Sequence, residues 1–117
     1  MNWIALTTEA QTDQIKEESK HHPVVIFKHS TRCSISNMAE NRLKNLKDIG
    51  DATFYYLDLL QYRPISNKIA EDFKVHHESP QVLVIANGEC VYDETHNGIT
   101  VSELEEEVIN ARNACKN

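Results

Sequence analysis

The fold is decided by one stretch, in which Val24-Val25-Ile26-Phe27 leads through Lys28-His29 into Ser30-Thr31-Arg32-Cys33-Ser34-Ile35-Ser36. The four apolar residues have no polar face, which predicts a buried strand over residues 24–29. Apolar residues then recur at helical spacing and predict a helix from about Ser34 to Asp48, ending near Gly50: Ile35, Met38, Ala39, Leu43 and Leu46. Cys33 therefore falls at a strand-to-helix junction, where a helix dipole stabilises a thiolate.

The remaining elements alternate along the chain. Thr8-Glu9-Ala10-Gln11 and Thr100-Val101-Ser102-Glu103 are capping boxes that begin a helix to about Lys20 and a C-terminal helix. Residues 53–57 and 81–86 are rich in β-formers, Pro64 begins a helix, and Asn87-Gly88 predicts a hairpin that returns over residues 89–92. The predicted order α-β-α-β-α-β-β-α gives one α/β domain over residues 1–117, with a mixed four-stranded sheet and helices on both faces.

Composition excludes several classes of function. The 117 residues carry a net charge of -6, which argues against nucleic-acid binding. No apolar run reaches the roughly 18 residues of a membrane span, and Met1-Asn2-Trp3-Ile4 does not open a signal peptide. The 3 cysteines, Cys33, Cys90 and Cys115, are too few and too widely spaced for a disulfide framework, so we expect a protein of the reducing cytoplasm.

The order of elements resembles the thioredoxin fold, and so do residues of the second half, above all Ser79-Pro80-Gln81 before a predicted central strand. In the thioredoxin superfamily the corresponding proline is cis and faces the active cysteine. The resemblance therefore implies a cis bond between Ser79 and Pro80, with both residues at a substrate-binding position. Dithiol members also carry a buried aspartate six residues before the nucleophile, where this chain has Phe27.

The active-site segment is more specific. Thr31-Arg32-Cys33-Ser34-Ile35-Ser36 resembles the Thr-x-Cys-Pro-Ile-Ser signature of the monothiol bacilliredoxins, with Ser34 in place of the usual proline. The resemblance implies a thiol–disulfide oxidoreductase without a cofactor, whose co-substrate is the small thiol bacillithiol and whose partners are bacillithiolated client proteins. Cys33 is then the nucleophile and Ser36 a hydrogen-bond donor to its thiolate, while Arg32 adds positive charge beside it and Thr31 and Ser34 complete the segment.

Other interpretations stay open at this stage. An iron–sulfur carrier of the monothiol-glutaredoxin type normally has Cys-Gly-Phe-Ser, which Cys33-Ser34-Ile35-Ser36 does not match. A non-catalytic adaptor would leave Cys33 inert. Cys90 and Cys115 fit packing better than catalysis. The pairs His21-His22 and His76-His77 lack the accompanying ligand spacing of a metal site, so we expect none.

Overall fold

A five-stranded mixed sheet forms the centre of the molecule. The computed structural model describes residues 3–30, 34–44, 46 and 52–115. Its strands are β1 (Ile4–Ala5), β2 (Val24–His29), β3 (Thr53–Asp58), β4 (Gln81–Ala86) and β5 (Glu89–Thr95), in the spatial order β1-β3-β2-β4-β5. The first three neighbours are parallel, whereas β4 is antiparallel to both β2 and β5. The predicted α/β architecture is confirmed.

The predicted number of four strands is wrong, because β1 adds a fifth strand at the edge beside β3. This strand has only 2 residues and both are exposed. A strand of that length shows no alternation of polar and apolar residues, so the sequence pattern could not reveal it.

Helices cover both faces of the sheet. They are α1 (Ala10–Glu18), α2 (Ser34–Leu43), α3 (Arg63–Asp72) and α4 (Val101–Cys115), with a 3₁₀ turn at His96–Gly98. One core contains Phe27 of β2 and packs under α2 and α4 through Leu43 and Leu104, and the other contains Ile26 and packs under α1 and α3 through Ile15 and Ile69. Successive residues of β2 point to opposite faces, so this fully buried strand serves both cores.

Helix α2 ends earlier than predicted, at Leu43 instead of near Asp48. Lys44 still donates its N–H to Glu40 O, four residues earlier, as in an α-helix. Leu46 donates its N–H only three residues back, to Leu43 O, so at this point the α-helical hydrogen-bond pattern has given way to a tighter turn. The expected stop at Gly50 lies outside the described residues. Met38, which completes the apolar pattern, is 54% exposed, since the buried face of the helix is formed by Ser36, Ala39 and Leu43.

The predicted turns and caps differ in how well they form. Asn87 and Gly88 have positive φ angles of 54° and 78°, the conformation that a tight hairpin turn requires. The N–H of Glu103 donates to Thr100 Oγ1, as expected of a capping box. At the start of α1 the Gln11 carboxamide instead accepts the N–H of Thr8, while the Thr8 hydroxyl caps no helix N–H.

Candidate active site

Three chain segments meet at one end of the central strands, where β2 finishes and β4 begins. Strand β2 ends at His29, helix α2 begins at Ser34, and Pro80 directly precedes β4. Lys28 pairs with Gln81 across the antiparallel β2–β4 ladder, so the end of β2 lies beside the Ser79–Pro80 segment. The bond between Ser79 and Pro80 is cis, the geometry that the resemblance implied. Thr31, Arg32 and Cys33 lie outside the described residues, between Ser30 and Ser34.

Ser36 joins the end of β2 to the first turn of α2. Its side chain is completely buried, and its Oγ accepts the N–H of Ser30 at 2.9 Å. The same oxygen lies 2.5 Å from Nδ1 of His29. Ser36 is thus held by His29, the last residue of β2, and by Ser30, which follows it, whereas Ser34 at the helix start is exposed.

His29 is a site residue that the sequence interpretation missed. The side chain is 1% exposed and its ring stacks on Phe27, with 5.6 Å between the ring centroids. Its other nitrogen, Nε2, lies 3.5 Å from Oε2 of Glu40 on α2. The available signal was the period of two along β2, which places His29 on the same face as Phe27 and Val25, toward α2.

The Ser79 hydroxyl, at the same end of the sheet, is a buried polar group without a hydrogen-bond partner in the described residues. Such orphaned buried groups are rare in folded proteins and mark places where a ligand or water completes the bonding. Pro80 O accepts the N–H of His96, which anchors the segment on the opposite side.

Lys28 occupies the other face of the sheet at the same end. It is completely buried, and its Nζ donates to Ser66 O at 3.3 Å and lies 3.4 Å from Nδ1 of His77. Burial lowers the pKa of Lys28 to about 8. Burial and the nearby cations Lys28 and Arg63 also lower the pKa of His77, which favours a neutral ring that can accept a hydrogen bond.

An aromatic cavity opens beside Glu40. It has a volume of about 220 Å³ and is lined by Trp3, Phe27, Glu40, Leu43, Lys44 and Tyr56. Glu40 keeps 36% of its side chain exposed there while its carboxylate faces the buried His29. Glu40 therefore both lines the cavity and lies within 3.5 Å of the buried His29.

Cys90 and Cys115 are both partly buried, and the thiol of each donates to a backbone carbonyl. Cys90 on β5 packs against the α1–α3 core and its Sγ donates to Tyr92 O at 3.3 Å. Burial, followed by the charge of Asp93, raises the pKa of Cys90 to about 11, which disfavours the reactive thiolate. Cys115, on the apolar stripe of α4, donates to Ser19 O at 3.3 Å.

The histidine pairs contact separate partners. His22 Nε2 lies 2.7 Å from Glu18 Oε2, whereas His77 Nδ1 lies 3.1 Å from Ser66 Oγ. Within the described ranges, no three histidine, cysteine or carboxylate side chains are grouped to hold a metal ion. No helix in these ranges has the length and apolar character needed to cross a membrane.

Comparison with known proteins agrees with this architecture. Residues 4–104 match the sequence model of the family described as monothiol bacilliredoxin BrxC. A solved structure described as a candidate oxidoreductase with a thioredoxin fold is 38% identical, with 88% of this chain and 90% of that chain covered and a TM-score of 0.77.

Two thioredoxins are more distant and show the fold alone. Reduced thioredoxin from Schistosoma mansoni is 22% identical, over 95% of this chain and 99% of that one, with a TM-score of 0.72. A thioredoxin variant from Halobacterium salinarum is 16% identical, over 93% of this chain and 89% of that one, with a TM-score of 0.70. The fold is that of thioredoxin, and together with the family match it supports a thiol redox function. The chain belongs to the monothiol bacilliredoxin BrxC family.

Proposed function

We propose that the protein removes bacillithiol, or a closely similar small thiol, from mixed disulfides on client proteins, with Cys33 as its nucleophile. The observation that carries the proposal is the family match across residues 4–104, which includes the Cys33-Ser34-Ile35-Ser36 segment. A single active-site sulfur restricts the chemistry to transfer of the small thiol.

The transfer is a thiol–disulfide exchange. The Cys33 thiolate attacks the small-thiol sulfur of the mixed disulfide, a new S–S bond forms on Cys33, and the client thiolate leaves with the electron pair of the broken bond and takes up a proton. The position three residues later is Ser36, which cannot form a disulfide. A second molecule of small thiol must therefore attack the adduct, which regenerates Cys33 and releases the small-thiol disulfide.

The surroundings of the segment support this role. The start of α2 directly follows Cys33 in the sequence, and Arg32 precedes it, so both the helix dipole and the guanidinium favour a thiolate. The main chain of Ser79, before the cis bond, is available to pair with the extended backbone of a client or small thiol. Because burial raises the pKa of Cys90, that residue is a poor resolving thiol.

The test uses a client protein that carries a bacillithiol mixed disulfide, followed by intact-mass spectrometry. The wild type should acquire the mass of bacillithiol on Cys33, stall as the adduct, and turn over only when free bacillithiol is added. Cys33→Ser should be inactive, whereas the matched variants Cys90→Ser and Cys115→Ser should retain most of the activity.

Three outcomes would contradict the proposal. Loss of turnover in Cys90→Ser with the first transfer intact would make Cys90 a resolving residue and the mechanism dithiol. Reduction of an ordinary protein disulfide, with bacillithiol adducts left untouched, would refute the substrate assignment. An unreactive Cys33 would instead favour the adaptor interpretation.

A further inference from the structure

One arginine of α2 binds the turn that follows β5. Nε of Arg42 donates to Ile99 O at 2.8 Å, and its Nη2 donates to His96 O at 3.0 Å. The planar guanidinium presents its N–H groups in a fixed arrangement, so one side chain holds two carbonyls at once. Because the donor is charged, each bond is stronger than one between neutral groups. Arg42 therefore fixes the 96–99 turn (His96-Asn97-Gly98-Ile99) to helix α2.

The 96–99 turn also holds the segment that precedes β4. Thr95, the last residue of β5, pairs with Gln81, and the next residue, His96, donates its N–H to Pro80 O at 3.0 Å. Proline has no N–H, so its carbonyl is the only backbone group through which it can hydrogen-bond to a neighbour. The position of Pro80 therefore depends on where His96 lies.

His96 joins these two sets of bonds in an unusual conformation. Its φ is 52°, in the left-handed region that a non-glycine residue adopts at a cost in free energy. Such a conformation persists only where the surrounding structure maintains it. The N–H of His96 is bonded to Pro80, and its carbonyl accepts from Arg42 and from the N–H of Ile99. Without the guanidinium we expect His96 to relax and its bond to Pro80 to open.

The connection links two parts of the proposed active site. Helix α2 begins at Ser34, directly after Cys33 in the sequence, and Arg42 lies about two turns further along it. At the other end of the connection, the buried hydroxyl of Ser79 has no partner in the described residues. We propose that Arg42 is a positioning residue, which holds the Ser79–Pro80 segment at a fixed place relative to α2 for the binding of a client or small thiol. The inference rests on the proposed function, in which the main chain of Ser79 pairs with the bound molecule.

A positioning role predicts an effect on binding and none on the chemical step. Displacement of the Ser79–Pro80 segment weakens the contacts that the bound molecule makes in both the ground state and the transition state. A loss of that kind raises the half-saturating substrate concentration and leaves the maximal rate unchanged. A merely structural arginine would change the free energy of unfolding, and the folded molecules would bind as the wild type does.

The anchor itself is measured by amide hydrogen exchange in Arg42→Met, which keeps most of the packing of the arginine stem and removes its donors. We expect the N–H of His96 to exchange at least about tenfold faster than in the wild type, because the turn opens locally. The N–H of Asn87, bonded to Ser19 O at 2.8 Å at the far end of β4, is the internal control and should change much less. Equal acceleration of both amides would indicate a global loss of stability and overturn the proposal.

Binding is measured by single-turnover transfer from a bacillithiolated client in a Cys90→Ser/Cys115→Ser background, with the client concentration varied and the adduct followed by intact mass. We expect Arg42→Met to raise the half-saturating client concentration by about tenfold and to change the maximal rate by less than about threefold. Alkylation of Cys33 by iodoacetamide, which needs no client, should stay within about twofold of wild type, since the lost charge is two turns away. Lys68→Met, which removes ion pairs to Asp13 and Asp72, is the control and should bind client as wild type.

Arg42→Lys separates the anchor from the charge. Its ammonium keeps the positive charge but lacks the two-pronged geometry, so we expect the protection of His96 and the binding of client to fall between those of wild type and Arg42→Met. Wild-type binding without protection of His96 would assign the effect to charge and overturn the proposal. If Arg42→Met fails to fold, Arg42→Lys decides: intermediate values support the proposal, and wild-type values in both measurements overturn it.

Failure of the proposed function has a different signature. If the protein ignores bacillithiol adducts but His96 loses protection in Arg42→Met, the proposed substrate is refuted and Arg42 remains the anchor of the Ser79–Pro80 segment. Transfer from the client with an unchanged half-saturating concentration in Arg42→Met would refute the positioning role and leave the proposed function intact.

Discussion

Lys28 should make the folded protein less stable at neutral pH than a neutral side chain of the same length would. The ammonium is 0% exposed and has two long hydrogen bonds, to Ser66 O at 3.3 Å and His77 Nδ1 at 3.4 Å. In the described residues it has no salt bridge to a carboxylate. Buried charges are normally paired, so Lys28→Met should remove an unfavourable charge and retain most of the packing of the stem.

The size of the effect follows from the titration of Lys28. Burial lowers its pKa from 10.5 to about 8, and about 1.4 kcal/mol per pH unit converts this fall to about 3 kcal/mol. Below pH 8 the lysine is charged in both states and the whole cost is present. Between pH 8 and 10.5 the unfolded chain binds more protons than the folded one, so the stability contributed by this group rises with pH. Above that range the cost is absent.

Urea unfolding followed by circular dichroism measures the difference directly. At pH 7 the Lys28→Met variant should have a free energy of unfolding up to about 3 kcal/mol above that of the wild type. The difference should shrink steadily toward pH 10. The exposed Lys20→Met variant serves as the control and should stay within about 0.5 kcal/mol of wild type at each pH.

The reasoning fails if Lys28→Met is destabilised at pH 7 and the difference from wild type does not change with pH. That result would mean that the hydrogen bonds to Ser66 and His77 outweigh the loss of hydration. A stabilised variant whose advantage persists to pH 10 would show that better apolar packing, and not removal of charge, is responsible.

Two further predictions concern the titrating groups Cys90 and Glu18. Cys90 has a pKa of about 11, so at pH 7 about one thiol in 10⁴ is ionised. Iodoacetamide should therefore label Cys90 more than tenfold faster in urea than in the folded protein. Equal rates would contradict the burial of this thiol. Burial raises the pKa of Glu18, but hydrogen bonds from Thr53, His22 and Tyr55 outweigh burial and lower it. The ionised carboxylate therefore stabilises the folded protein above pH 4.5, and this stabilisation is lost on acidification. Glu18→Gln should therefore lower the free energy of unfolding in urea by about 2 kcal/mol at pH 7 and by much less in acid. A loss of stability that does not depend on pH would show that the carboxylate charge has no role.

The sequence predicts the regular parts of this fold well because they follow from periodicity. The apolar runs predict β2 and β4 with their full extents, and Asn87-Gly88 predicts the turn between β4 and β5. The stripe on α4 is likewise buried at Leu104, Val108 and Ala111. Each of these patterns reflects a face that must be removed from water, which is the strongest signal that a single sequence carries.

The polar part of the site could not be predicted from the same patterns. Lysine is mostly exposed in proteins and histidine is intermediate, and the burial of Lys28 and His29 depends on partners 38 and 7 positions away, at Ser66 and Ser36. The spacing of Ser36 from Cys33 in the sequence marks it as a site residue, but its hydrogen bonds to His29 and Ser30 form only because α2 packs on the sheet. The roles of Cys33, Thr31, Arg32, Ser34, Ser79 and Pro80 remain predictions.

Two unfavourable features lie at the end of the sheet where β2 finishes, at His29. There, Lys28 is buried without a counter-ion, and the Ser79 hydroxyl has no partner in the described part of the chain. At the opposite end Ser19 O and Oγ accept the N–H groups of Asn87 and Gly88, each at 2.8 Å, although Nε of Arg112, one turn before Cys115 on α4, is also buried without a partner in the described residues. Sequences that break local rules of stability do so mainly where function requires it. The alternation of β2 brings Lys28 to one face and His29 to the other, so the end of this one strand supplies buried polar groups to both faces of the sheet, beside the Ser79–Pro80 segment.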